Sequence, residues 1–359
     1  MRISGRTRTR LLILAIVVLI SALVGIGFVW LLSRLIGFPL TLAEFENGAR
    51  NGMVVGGSLV AFLVFYERGE RGAWLRRRSF AQSFALRTLA YASIIVACFV
   101  VNRAVSGLLY GGELSLGGYL GIDLVRDTLF SFGVFFVIFF VLEMRRLVGG
   151  RTLMNVILGR YHRPRREERV VMLIDIKGST AIAERLGDER AHAFVSRTFF
   201  EVERPVVEAG GEIYAYVGDL MIVTWPRARG LSKASVIFCW LEIERALVRA
   251  KDVFERLFGA APEVRTAIHA GPVAIGECGD AKLQIVYIGD TMNVAGRLEQ
   301  MTKTMDRGCL ISEEIMNCVD LPPTVEAEAL GALPIRGRER PLQVFALQAS
   351  PGAREGLAA

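Results

Sequence analysis

Hydrophobic residues follow two different patterns along the 359-residue chain. The first part holds long uncharged stretches. Leu11–Leu32 is the longest, and it has about the ~20 apolar residues that a helix needs to cross a bilayer. Three shorter uncharged runs follow before residue 146. We therefore predict an all-α transmembrane domain over residues 1–146. Its four predicted spans cover residues 11–33, 50–66, 86–103 and 124–143.

Arginines indicate on which side of the membrane each loop lies. They cluster before the first span, after the second and after the fourth, whereas the two other loops are nearly balanced in charge. Cytoplasmic flanks of membrane helices are enriched in Arg and Lys. We therefore expect a multi-pass protein of the bacterial inner membrane with both termini in the cytoplasm. A cleaved signal peptide fits less well, because Leu35–Leu42 stays apolar and offers no clear cleavage site.

A connector over residues 147–168 follows the last predicted span. Its apolar residues recur at helical spacing, and Pro164 should end the helix. These apolar residues are Leu153, Val156, Ile157 and Tyr161. Such a helix can pair with its twin in a dimer, or it can lie on the membrane surface.

Beyond the connector, short apolar runs alternate with amphipathic segments. The order of elements is βαββαβ, which predicts an α+β ferredoxin-like domain with an antiparallel sheet and helices on one face. We place this domain at residues 169–349, with a flexible tail at 350–359. The main predicted elements are helices at 181–207, 231–258 and 290–301 and strands ending at Asp175, on either side of Gly218-Asp219, at 264–269 and at 284–288.

Composition narrows the range of partners and cofactors. The net charge of +7 is explained largely by the arginines that flank the spans, so we predict a lipid bilayer as a partner and no nucleic acid. The five cysteines lack metal-binding spacing, which argues against zinc, and residues 1–146 hold no histidine that could ligate a haem. An unidentified external or membrane ligand stays open, although loop and headgroup charges are the favoured interpretation. Its candidate contacts are Arg103, Glu113, Asp123, Arg126 and Asp127.

Two aspartates stand at predicted strand ends in the second domain. Asp175 is followed by the loop Ile176–Thr180, which leads into a helix, and Asp219 lies at the tip of the hairpin. Amides of such a loop can hold phosphates, and two carboxylates can share two metal ions about 4 Å apart. Each motif alone is weak, because Asp after a strand is commonly a turn or N-cap residue. Combined with Asn293 and Arg297, one helical turn apart, they predict two-metal phosphoryl chemistry on a nucleotide.

With its motifs VVMLIDIKGST, YVGDLMIV and NVAGR, the region from about Arg169 to Leu347 resembles the catalytic domain of class III nucleotidyl cyclases. That family converts ATP or GTP into the 3′,5′-cyclic monophosphate and pyrophosphate. The resemblance implies a homodimer that shares its active sites between protomers, with two divalent cations, Mg²⁺ or Mn²⁺. The implied metal ligands are Asp175, Ile176 and Asp219, and the implied catalytic residues are Asn293 and Arg297. The implied substrate-binding residues are Ile176, Lys177, Gly178, Ser179, Thr180, Ala215, Arg265, Val286 and Arg336.

Ala215 and Val286 depart from the family pattern. Adenylyl cyclases usually carry Lys and Asp or Thr at these positions, and guanylyl cyclases carry Glu and Cys. Without hydrogen-bonding side chains the pocket rejects the wrong purine less strongly, and selection falls to backbone groups or to neighbours such as Tyr214, Gln284 and Tyr287.

We expect an adenylyl cyclase acting on ATP. A guanylyl or mixed-specificity cyclase and a catalytically silent membrane signalling module stay open as alternatives. A diguanylate cyclase is not supported, because the GGEI sequence at 210–213 precedes the strand and lacks the second acidic residue of that family's hairpin.

Overall fold

The computed structural model describes residues 5–37, 40–63, 80–110, 122–148, 154–155, 158–281, 283–334 and 341–350. The chain forms two compact units, Met1–Glu143 and Met144–Ala359. The described part of the first unit is helical. Its helices are α1 (Gly5–Ile36), α2 (Leu42–Ala61), α3 (Phe80–Tyr110) and α4 (Ile122–Val148), the last of which runs five residues past Glu143.

Three helices in the described part of the chain are long and apolar enough to cross a membrane. The qualifying segments are Leu14–Leu35 in α1, Gln82–Asn102 in α3 and Leu124–Val141 in α4. The predicted second span begins within α2, which includes Glu44, Glu46 and Arg50 and is not among the three. In the part of the chain that the structure describes, four helices therefore precede the sheet, and three of them have the composition of a membrane span.

Small residues allow α1 and α2 to pack closely. A Cβ placed on Gly52 of α2 would collide with the backbone oxygen of Ser21 in α1, and one placed on Gly25 would collide with the backbone of Gly48. Close approach at small residues is the usual way in which helices associate in lipid. The glycines of α2 thus serve its packing against α1.

The second unit contains eight described strands in one sheet. In sequence order they are β1 (Arg165–Ile176), β2 (Glu212–Val217), β3 (Leu220–Pro226), β4 (Val264–Cys278), β5 (Gln284–Ile288), β6 (Cys309–Ser312), β7 (Val325–Leu333) and β8 (Leu342–Ala349). The strand order is β2-β3-β1-β4-β6-β8-β7, and β5 pairs with the far part of β4. All pairings are antiparallel except the parallel one between β4 and β6.

Helices connect these strands. They are α5 (Ser179–Leu186), α6 (Asp188–Glu208), α7 (Arg227–Leu231), α8 (Ser235–Phe258), α9 (Asp290–Thr304) and α10 (Glu313–Met316). The predicted α+β domain with a mostly antiparallel sheet is confirmed. The predicted helix at 181–207 is instead two helices, because Gly187 breaks the chain with φ +76° and ψ 160°, a conformation that favours glycine.

The middle strand β1 is buried on both faces. Val170, Met172 and Ile174 point into a core with α6 and α8, whereas Val171 and Leu173 point into a second core with α9. Successive side chains of a strand alternate between faces, so a strand with two buried faces reads as a continuous apolar run. The prediction that the helices share one face is therefore wrong for α9, which covers the opposite face of the sheet.

The end of the connector belongs to the second unit. Tyr161 lies in a turn and is 2% exposed, packed against Val273 and Ile275 of β4. The prediction that it lies on an amphipathic helix is therefore wrong, because the sheet offers its ring a better-buried place. Leu153, Val156 and Ile157 lie outside the described residues, as do residues 351–359 of the predicted tail.

Candidate active site

The two predicted metal aspartates lie side by side at one end of the sheet. Asp175 is the last residue but one of β1, and its Cα pairs with Leu220 of β3, the residue that follows Asp219. The backbone N–H of Ile176 donates to the carbonyl of Asp219 at 3.2 Å, and the hydroxyl of Ser179 donates to the Asp219 carboxylate. The hairpin and the loop after β1 therefore hold both carboxylates at the same place.

The loop after Asp175 turns directly into a helix. Gly178 has φ +68° and ends the extended chain, so that α5 begins at Ser179. Lys177, Gly178 and Thr180 are exposed and Ser179 is partly exposed, whereas the side chain of Ile176 is buried in the core. The N-terminus of a helix is favourable for anions, because its first amides and its dipole face them. Ile176 can contribute only through its backbone.

Asp175 is buried and faces an ammonium group. Lys303 Nζ lies 3.2 Å from Asp175 Oδ2 and 2.9 Å from Glu299 Oε1. Burial raises the pKa of Asp175; the carboxylates of Asp219 and Glu299 act in the same direction, and Lys303 opposes them. Burial disfavours the charged Lys303, but its bonds to Glu299 and Asp175 raise its pKa overall. A cation near Asp175 therefore favours the ionised form of its carboxylate.

Two predicted phosphate-binding cations meet at another carboxylate. Arg265 lies directly across the β1–β4 pair from Asp175, and its Nη2 is 3.1 Å from Asp306 Oδ1. Lys177 Nζ is 3.6 Å from the same oxygen and 3.5 Å from Glu263. The hydrogen bond from Arg265 and the charge of Lys177 lower the pKa of Asp306. Arg265 and Lys177 therefore converge beside the two aspartates.

The predicted catalytic pair lies on one face of α9. Asn293 and Arg297 line an open pocket of about 350 Å³ together with Met292, Gly296 and Gln300. The opposite face of α9 is anchored in the core by residues such as Val294 and Leu298. Among the described residues that line this pocket there is neither Asp175 nor Asp219. The described lining of this pocket thus includes the Asn/Arg pair but not the two aspartates.

The two predicted purine positions lie on strands that touch. Ala215 of β2 pairs with Ile222, and Val286 of β5 pairs with Gly276. The adjacent residues Tyr214 and Tyr287 meet with ring centroids 4.5 Å apart, and the backbone N–H of Tyr287 donates to the Tyr214 hydroxyl at 3.5 Å. This tyrosine pair brings the strands with the purine positions into contact.

Some predicted residues lie outside this description. Arg336 falls outside the described residues, as do the side chains of Arg103, Glu113 and Asp123. Arg126 and Asp127 form an ion pair at 2.9 Å.

Three charged residues beside the aspartates were not predicted from the sequence. They are Glu299, Lys303 and Asp306. The i, i+4 spacing of Glu299 and Lys303 was a signal for their mutual pairing, but nothing in the spacing pointed to Asp175.

The donor set fits magnesium or manganese in the presence of a nucleotide. The described residues hold no cluster of three or more His, Cys, Asp or Glu side chains suited to a metal ion. The available ligands are the two carboxylates of Asp175 and Asp219, with the backbone carbonyl of Ile176 as a third oxygen. Mg²⁺ is commonly held by one or two carboxylates, and water and substrate phosphates complete its shell. The position of Lys303 beside Asp175 shows that this carboxylate already accommodates a cation.

Comparisons with known proteins bear on the family of the second unit. The family model described as "Adenylate and Guanylate cyclase catalytic domain" matches residues 162–349. Adenylate cyclase 2 of Rhizobium meliloti (strain 1021) is 36% identical over 219 residues, which make up 61% of this chain and 60% of that protein. Adenylate cyclase 1 of the same organism is 32% identical over 186 residues, or 50% of this chain and 27% of that protein. The chain thus spans less than two thirds of either relative.

A solved structure supports the same fold. The structure of a bacterial light-regulated adenylyl cyclase aligns with a TM-score of 0.53 and 17% identity, covering 67% of this chain and 72% of that one. At this level of identity the likeness concerns the fold alone.

Proposed function

Because the chain belongs to the adenylate and guanylate cyclase catalytic domain family, we propose that it is a membrane-anchored adenylyl cyclase that converts ATP into cyclic AMP and pyrophosphate. The observation that carries this proposal is the convergence of Asp175 and Asp219 at one sheet end with Arg265 and Lys177 beside them. Paired carboxylates next to paired cations suit a triphosphate with its metal ions.

The proposed reaction is an internal displacement at phosphorus. The 3′ oxygen of the ribose attacks the α-phosphorus, the bond to the bridging oxygen of the β-phosphate breaks, and pyrophosphate leaves with the electron pair. The proton of the 3′-hydroxyl passes to solvent. When bound at Asp175 and Asp219, two divalent cations supply activation of the attacking oxygen and neutralisation of the leaving group.

The side chains of the protein then hold and stabilise the nucleotide. Arg265 and Lys177 bind the terminal phosphates, with Arg336 as a further phosphate ligand, and the loop Ile176–Thr180 offers backbone amides. Asn293 positions the ribose, and Arg297 stabilises the negative charge that develops on the α-phosphate.

We propose that each active site combines two protomers of a homodimer. The support is the α9 pocket, whose described lining includes Asn293 and Arg297 but neither aspartate. A two-fold axis would bring the α9 pocket of one protomer to the carboxylates of the other and make two equivalent sites.

We assign ATP as the substrate, with the purine held beside Ala215 and Val286. Neither side chain has a hydrogen-bonding group, so packing and backbone groups select the base, and discrimination against GTP is weaker than in a pocket with polar side chains. The tyrosine pair Tyr214–Tyr287 fixes the distance between the two strands that line this pocket.

We further propose that the catalytic domain is cytoplasmic in a multi-pass protein of the bacterial inner membrane. The three apolar helices support membrane anchoring. The arginine-rich flanks support the orientation. An external or membrane ligand would act through the first unit. The first unit would be in contact with the lipid bilayer throughout.

The decisive experiment incubates the purified full-length protein with Mg²⁺ or Mn²⁺ and ATP or GTP, separately and in competition. We expect cyclic AMP and pyrophosphate in equal amounts from ATP. Asp175→Ala should abolish the activity with the fold intact, and Arg297→Ala should lower kcat by about 10² or more while changing nucleotide affinity far less. Lys251→Met, on the exposed side of α8, is the matched control.

Other outcomes would change the assignment. Cyclic GMP as the main product would make the protein a guanylyl cyclase. No product from either nucleotide, in a folded dimeric protein, would indicate a silent signalling module. Full activity of Asp175→Ala would refute the two-metal mechanism.

A further inference from the structure

The end of α9 carries a cation that reaches the metal carboxylate of its own protomer. Lys303 bridges Asp175 at 3.2 Å and Glu299 at 2.9 Å. Its side chain is 48% exposed, whereas that of Asp175 is 4% exposed. The ammonium group therefore approaches from the solvent side and contacts Oδ2 of Asp175, an oxygen that a metal ion can also bind.

The turn that follows carries an anion that reaches the phosphate-binding cations. Asp306 accepts a hydrogen bond from Arg265 at 3.1 Å and lies 3.6 Å from Lys177 Nζ. It has φ +47°, a left-handed conformation that Asp and Asn tolerate better than other side chains. The backbone N–H of Arg307 donates to the carbonyl of Thr302 at 3.0 Å, and this bond closes the turn.

The charges of Lys303 and Asp306 match those of a metal ion with its triphosphate. The cation Lys303 contacts the carboxylate of Asp175, where a metal ion would bind, and the anion Asp306 contacts Arg265 and Lys177, where phosphates would bind. We propose that residues 303–306, which we call the α9 end segment, act as an internal substitute for the metal–triphosphate group. Lys303 and Asp306 are positioning residues that hold Asp175, Arg265 and Lys177 in place and are displaced when the metal and phosphates bind. This inference rests on the proposed function.

The segment also connects the carboxylates with the catalytic pair. Lys303 is six residues beyond Arg297 on the same helix, a distance of about 9 Å along the axis. Lys303 keeps Glu299 as a partner after Asp175 is released, because both residues lie on α9. Binding of metal and phosphate in one protomer therefore frees the end of the helix that presents Asn293 and Arg297.

The first test measures Mn²⁺ binding without nucleotide. The full-length protein in detergent is titrated with Mn²⁺, and the free ion is counted by electron paramagnetic resonance. Lys303→Met should bind Mn²⁺ about threefold to fivefold more tightly, because the competing cation is gone. Lys251→Met removes a comparable exposed lysine paired with Glu255 on α8 and should leave the affinity unchanged. An affinity that is unchanged or weaker in Lys303→Met would overturn the proposal.

The second test measures tripolyphosphate binding, which needs no base recognition. Asp306→Asn keeps a residue that tolerates the left-handed turn and removes the charge. We expect it to bind tripolyphosphate about twofold to fivefold more tightly by calorimetry, with Glu255→Gln as the control. If Asp306 only shaped the turn, the affinity would not rise, and the proposal would fail.

The two proposals can fail separately. Shifted affinities for Mn²⁺ and tripolyphosphate in a protein that forms no cyclic nucleotide would support the α9 end segment and refute the cyclase activity. A working cyclase in which either affinity does not shift would refute the inference alone.

Discussion

Arg169 joins the connector to the strands behind the purine positions. Arg169 is 3% exposed, and its guanidinium lies 2.8 Å from Glu167, 3.3 Å from Glu212 and 3.2 Å from the Tyr161 hydroxyl. It also lies 5.8 Å from the ring centre of Tyr287. Burial disfavours its charge, but Tyr287, Glu212 and Glu167 raise the pKa of Arg169 overall. A buried charge is tolerated only when it is paired in this way, so these residues act as one unit.

This cluster should make stability depend on acid pH. Burial tends to raise the pKa of Glu167, but Arg169 outweighs it, and the pKa lies below its usual value of 4.5. The stabilisation from this carboxylate is therefore present above pH 4.5 and is lost as the pH falls through its lowered pKa. Glu167→Gln should lower Tm at pH 6. The difference in Tm between this variant and the natural protein should shrink as the pH falls below 4.5.

The measurement is a series of thermal melts of the full-length protein in detergent. Glu168→Gln is the control, because its carboxylate is 50% exposed and pairs with Arg227 at the surface, where an ion pair contributes little. A constant difference in Tm between Glu167→Gln and the natural protein at all pH values would contradict this account.

Among the elements, α9 has a different role on each of three parts of its surface: one packs into the core, one lines the pocket and one contacts Asp175. Val294, Ala295 and Leu298 face the core, and Asn293 and Arg297 face the pocket. Its last turn points Lys303 at the neighbouring strand end. A helix whose apolar face is fixed by burial holds its polar residues at defined angles. The same anchoring is what the proposed displacement of the α9 end segment would act against.

The packing of α1 against α2 permits a sharp prediction. Gly52→Val places a branched side chain against the backbone oxygen of Ser21 and should destabilise the helix pair by about 1–3 kcal/mol. Gly27→Val in α1 is the control, since a Cβ at Gly27 has no atom within 4 Å. The two variants are compared by the fraction that stays folded during heating in detergent. Equal stability of both would show that α1 and α2 do not pack as described.

At the scale of the whole molecule, the proposed dimer can be tested by complementation. Asp175→Ala and Arg297→Ala should each be inactive alone. Co-expressed, random pairing makes half of the dimers mixed, and each mixed dimer has one site with all its groups, so about a quarter of the natural activity should return. The measurement is cyclic AMP formation by the co-purified protein. No recovery, with mixed dimers demonstrated by differential tags, would argue that each protomer holds a complete site.

Much of this protein could be predicted from local sequence. The apolar runs of the first unit are long enough to be recognised as membrane spans, and the apolar run of β1 can be recognised as a strand buried on both faces. Both environments require an uninterrupted series of hydrophobic residues. Asp175 and Asp219 could be found because strand ends and turns carry recognisable residues. The i, i+4 spacing placed Asn293 and Arg297 on one face of a helix, and the structure brings them to one pocket.

Other features depended on residues far apart in the sequence. Only the folded chain puts α9 on the face opposite α6 and α8, and only there does Lys303 meet Asp175 across 128 positions. Tyr161 has helical spacing with its neighbours, yet the sheet buries it in a turn. Periodicity determines which residues of an element are apolar or polar, because it reflects local geometry. Tertiary packing decides which elements and which charged residues come into contact, because the apolar faces of all elements must be buried at the same time.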